Sequence, residues 1–228
     1  MQIKNVESTG CWSFKVSILI LGIYFLLVFP CAQIFFRTNP WLYRYTDILF
    51  ITVVALFAFY KTGFTALGFS TKYITQHLNL GLLTGGILLA NLPLLEFGLE
   101  RAGLSNHELF TEKPQSDVSY NFSLLIEKIT FVFFIPLIEQ IFFTGIILQS
   151  LLKKTNPVIA VYSASVIYTL VGFKLTLGAF GLGVIASILF KLTGTLYAAI
   201  LFHISCGLGG ELLKNIYPNI KGILGFLF

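Results

Sequence analysis

The stretch PLIEQIFFTG, Pro136 to Gly145, carries a carboxylate inside an apolar run. Phe131, Phe133 and Phe134 precede it, and Ile146, Ile147 and Leu148 follow it. Burying a carboxylate in apolar surroundings costs several kcal/mol, so Glu139 needs a partner or a task. Its neighbours Gln140 and Thr144 lie four residues apart. On a helix they can hydrogen-bond each other and need no charged partner. The other ionisable group set well inside an apolar segment is His203, in LYAAILFHISCG. A glutamate and a histidine sharing a dry site can hydrolyse a peptide bond: the carboxylate removes a proton from water, and the imidazole holds the developing oxyanion. The bland alternative is that these polar residues are glue between helices.

Such a site must be positioned by elements that are themselves apolar. Of 228 residues, 56% are hydrophobic and 11% charged, with 24 phenylalanines and a mean hydropathy of +0.86. Soluble domains have about a quarter of their residues charged, so the composition reads as an integral, multi-pass membrane protein surrounded by lipid. Crossing a core of about 30 Å takes roughly 20 helical residues. On that ruler there are seven candidate spans, near 14–36, 47–62, 78–95, 122–152, 156–172, 175–191 and 194–209. The expected fold is an all-α polytopic bundle of about seven spans, one membrane domain over 1–228. The run VSILILGIYFLLVFPCAQIFF (16–36) is too long for a signal-peptide core and reads as a retained first helix.

The boundaries are expected at RTNP (37–40), KTG (61–63), KKTNP (153–157), GFK (172–174) and KLTG (191–194). The polar segment Glu96 to Ser119 reads as a solvated loop. GGELLKNIYPNIKGILGFLF, the C-terminal stretch, could lie in the interface or form a short eighth piece. Lysines and arginines divide almost evenly between the two sides, so orientation stays open. The net charge of +5 comes from scattered residues, without the basic–aromatic cluster that nucleic acid would need. Cys11, Cys31 and Cys206 are far apart and read as apolar fillers. No His/Cys/Asp grouping is fit for zinc, and no metal or cofactor is expected. A transporter using Glu139 as an ion or proton site is a further reading. Neither an internal repeat nor a second buried acid supports it.

PLIEQIFFTGIILQSLLKK resembles the first motif of the CAAX-protease and bacteriocin-processing family of intramembrane endopeptidases, Glu-Glu-x-x-x-Arg. GTLYAAILFHISCG (194–207) resembles the surroundings of its last motif, His-x-x-x-Asn/Asp. SASVIYTLVG (163–172) takes the place of its second, Phe-x-x-x-His. The resemblance covers about 122–210, a family-like catalytic core. It implies that Glu139 activates water and that His203 is the oxyanion donor. It also implies a membrane-associated or lipidated polypeptide as substrate. Gln140 replaces the second glutamate and Thr144 the arginine, so an ion pair becomes a neutral pair. Tyr168 stands for the phenylalanine, Gly172 for the second-motif histidine and Gly207 for the Asn or Asp. No histidine lies between Glu139 and His203; His77 could substitute only from another helix. Two readings follow. One is a divergent endopeptidase using Glu139 and His203. The other is an inactive relative acting as a membrane scaffold or binding protein. The joint replacement of four motif residues tilts the balance toward the second, or toward a strongly altered activity.

Overall fold

Asparagine–proline pairs open two of the helices in the computed structural model, which describes residues 12–101, 128–171 and 176–216. Asn39 and Asn156 accept hydrogen bonds from the backbone N–H groups of Leu42 and Val158, and Pro40 and Pro157 follow at the first helical position. There the missing N–H costs nothing. The described residues form seven helices: α1 (Phe14–Phe36), α2 (Pro40–Ala66), α3 (Ile74–Arg101), α4 (Thr130–Leu152), α5 (Pro157–Leu170), α6 (Leu177–Thr193) and α7 (Leu196–Ile216). They correspond to the seven apolar segments. Four contain stretches long and apolar enough to cross a membrane: Phe14–Phe36, Tyr45–Ala66, Thr130–Leu152 and Leu196–Leu213. The chain is an integral, multi-pass membrane protein. The apolar α5 and α6 have 14 and 17 residues, short of a full span. Polar His77, Asn79, Thr84 and Asn91 interrupt α3.

Prolines inside α1 and α4 leave a mark. Each is preceded by a π-helical turn, Tyr24–Val28 before Pro30 and Thr130–Phe134 before Pro136. The residue just ahead of each proline, Phe29 or Ile135, donates its N–H five residues back, to Tyr24 or Thr130. Proline lacks an N–H and its ring crowds the carbonyl four residues earlier. Widening the preceding turn keeps the ladder paired without breaking the helix. A second π-helical stretch, Ile141–Leu148, follows Gln140 in α4.

α4 is the hub and touches α1, α2, α5, α6 and α7. Its membrane-length window is 78% buried against 17% for each of α1 and α2, so α4 is the axis and those two are the outer wall. A helix apolar on every face belongs in the middle. Leu26, Ile34, Phe35 and Tyr60 on the outer helices are strongly exposed, as suits side chains that face lipid. α7 packs most extensively on α3. Their backbones approach where small residues allow it: a Cβ on Gly81 would lie 3.1 Å from Ala198 Cα, and one on Gly209 would run into Leu89.

Two expectations change. The segment from Glu96 continues α3 to Arg101, because leucine, glutamate and arginine favour helix strongly enough to outweigh Gly98. α7 likewise continues to Ile216 into the polar C-terminal stretch. The remainder of the expected loop, the start of the 122–152 segment, the GFK boundary and 217–228 lie outside the described residues.

Candidate active site

Three helices supply the site. Glu139 and Gln140 sit in α4 between the proline-relieved turn and the π-helical stretch, Tyr168 in α5 and His203 in α7. Glu139 is 7% exposed, Gln140 1%, Thr144 2% and Tyr168 4%, so these groups exchange water for one another. The structure brings Glu139 and His203 together: His203 Nε2 lies 3.9 Å from Glu139 Oε2. That is too long for a hydrogen bond. The Tyr168 hydroxyl donates to the same Oε2 at 2.9 Å, and its ring meets Phe143 edge-on with centroids 4.9 Å apart. His203 Nδ1 faces Gln140 Nε2 at 3.2 Å, and the Thr144 hydroxyl donates to Gln140 Oε1 at 2.7 Å. The last contact is the pairing that the four-residue spacing allows.

Tyr168 is the partner that sequence reasoning missed. The motif comparison gives it only as the stand-in for a phenylalanine, whereas its hydroxyl donates to the carboxylate. The available signal was a phenol in an apolar helix, where the O–H must find an acceptor. A second omission concerns Asp47. This is a second buried acid, 7% exposed, and it accepts a hydrogen bond from Tyr24 at 2.9 Å between α2 and α1. At the first position of the 47–62 segment, an acid carries no sequence signal that separates it from an interfacial residue.

The remaining candidates separate. His77 Nδ1 bonds Thr195 Oγ1 at 3.0 Å, eight residues before His203. At 1.5 Å per residue that is about 12 Å along α7, so His77 does not substitute for the missing histidine. Gly207 lies one turn beyond His203. Among the described residues a Cβ there would meet only Val132, at 3.9 Å. Gly172 lies outside the described residues. Among the described residues no group of three or more His, Cys, Asp or Glu could hold a metal ion.

Residues 121–208 match the family model described as type II CAAX prenyl endopeptidase Rce1-like. No curated protein and no solved structure matches the chain.

Proposed function

On the footing that the chain belongs, through residues 121–208, to the CAAX protease family, we propose that it is an intramembrane endopeptidase with altered machinery, acting on a membrane-associated, lipidated polypeptide. The observation that carries this reading is the approach of Glu139 and His203 from facing helices, with the Tyr168 hydroxyl fixing the carboxylate. Glu139 takes a proton from a water as the water oxygen bonds to the scissile carbonyl carbon. The charge that develops on the carbonyl oxygen is met by the His203 Nε2–H. Glu139 then returns its proton to the amide nitrogen as the C–N bond breaks, releasing an amine and a carboxylic acid. Tyr168 holds one carboxylate oxygen throughout, a positioning role that the family's phenylalanine could not fill.

The purified protein in nanodiscs is offered a farnesylated CAAX peptide and a set of transmembrane peptides, beside Glu139→Gln and His203→Ala. Cleavage by the natural chain that disappears in both variants is the expected outcome. The replaced motif positions favour the second reading, an inactive relative that binds rather than cuts. If the natural chain cleaves nothing and Glu139→Gln melts higher, the carboxylate is a costly relic and the scaffold reading replaces the first.

A further inference from the structure

Each hydrogen bond in the site has a direction, and the directions are coupled. Glu139 has acceptor oxygens only, so a bare imidazole nitrogen facing it would set lone pair against carboxylate. The nitrogen 3.9 Å from Oε2 is Nε2, and electrostatics favours a proton there. In a neutral ring Nδ1 is then bare and requires a donor. The group 3.2 Å from it is the Gln140 amide nitrogen, which can only donate. With its nitrogen committed, the amide presents Oε1 on the other side, and the Thr144 hydroxyl donates to it at 2.7 Å. The chain of donors reads Thr144, Gln140, His203, and leaves His203 Nε2 facing Glu139 Oε2, the oxygen to which the Tyr168 hydroxyl also donates.

We propose that Gln140 and Thr144 form a tautomer lock: positioning residues that hold His203 as a neutral imidazole with its proton on Nε2. A second proton on Nδ1 would point at the amide's own N–H, so the pair opposes the imidazolium that the Glu139 carboxylate, 3.9 Å from Nε2, would otherwise favour. Gln140 and Thr144 are 1% and 2% exposed, and no solvent can satisfy the amide in the reversed orientation. A glutamate at position 140 would invert the relation, since its carboxylate could only accept and would draw the proton to Nδ1. The replacement of the family's Glu and Arg by Gln and Thr thus does more than remove two charges from the membrane. It sets which nitrogen of His203 can donate to an oxyanion. The catalytic purpose of this state rests on the peptidase reading; the tautomer itself does not.

Nitrogen-15 NMR of the full chain in nanodiscs, with labelled histidine, reads the tautomer directly and without substrate. There are only three histidines, and His203→Ala assigns the signal. The expected pattern is a protonated Nε2 and a bare Nδ1. Gln140→Glu shifts the proton to Nδ1, singly or as imidazolium. Thr144→Val, which keeps the side-chain shape, frees the amide to reverse and gives a mixture. A natural chain with the proton on Nδ1 overturns the lock, as does a His203 signal unchanged in Gln140→Glu. Should that variant not fold, an unchanged signal in Thr144→Val overturns it equally. Where cleavage is measurable, Gln140→Glu lowers kcat by about 100–1,000-fold with KM retained, the cost of removing one oxyanion donor. Loss of cleavage in the natural chain with the expected tautomer would fault the peptidase reading alone.

Discussion

Tyr168→Phe would restore the phenylalanine of the family's second motif while removing a bond that Glu139 has in this chain. A hydrogen bond to a charged group contributes about 1.5–3 kcal/mol. The variant is therefore expected to melt lower and, on the peptidase reading, to turn over more slowly, and a melt with a kinetic assay in nanodiscs checks both. Unchanged turnover would show that the phenol plays no part in holding the carboxylate. Gly207→Ala should go the other way. Among the described residues its Cβ finds only Val132, at van der Waals distance, so helix propensity decides, a gain of about 0.5–1 kcal/mol visible as a higher melting temperature. Glu139 and His203 were legible in the sequence because ionisable groups in apolar runs are rare and each demands an explanation. The Tyr168 contact was not. Which residues of separate helices meet depends on the rotation of each helix about its axis, and periodicity within one segment carries no such information. Asp47 was illegible for a simpler reason: at the edge of an apolar segment an acid reads as an interfacial residue.

Among the elements, the pair α3–α7 sets where His203 stands. Gly81→Ala would drive a methyl group into the Ala198 backbone, and backbone cannot rotate out of the way as a side chain can. Overpacking of this kind costs about 1–3 kcal/mol. It should also displace His203, five residues on, from Glu139. Gly86→Ala is the matched control, since a Cβ there meets nothing within 4 Å. The expectation is a lower melting temperature and, on the peptidase reading, reduced cleavage for Gly81→Ala, and neither for Gly86→Ala. Equal behaviour of the two would mean that α3 does not position α7. Helix starts at Asn39 and Asn156 were readable, because an Asn-Pro pair states both the cap and the first helical residue. Gly194 was readable too: it ends α6 in the left-handed conformation, φ 69°, that glycine adopts without strain. The π-helical turns were not anticipated. A proline inside an apolar segment, as at Pro30 and Pro136, fits a kink and a widened turn equally well in sequence.

Across the whole molecule, three contacts fix which ends lie together. Leu196 donates its N–H to Gly68 O at 3.0 Å, Gln149 Nε2 reaches Leu67 O at 3.0 Å, and the first turns of α1 touch α4 near Gln149–Leu152. These gather the start of α1, the 67–73 connection and the α4–α5 and α6–α7 turns on one side. The α1–α2 connection lies on the other, as does the pair of Lys128 with Glu211 at 3.7 Å. In a background lacking Cys11, Cys31 and Cys206, cysteines introduced at Ser70 and Lys154 should label from the same side of sealed vesicles, and one at Thr38 from the opposite side. Labelling of Ser70 and Lys154 from different sides would break the topology. The number of helices was legible from segment lengths, but the grouping of their ends comes from contacts distant in sequence. The burial of α4 has one more consequence. Amides buried at the axis of a bundle exchange with deuterium only when the whole assembly opens, so the segment bearing Glu139 belongs to the slowest-opening unit of the protein. Many enzymes keep their working groups on loops that open cheaply. On the peptidase reading, any loosening that lets a product leave has to come from the helices around α4, because α4 cannot yield without the fold yielding with it.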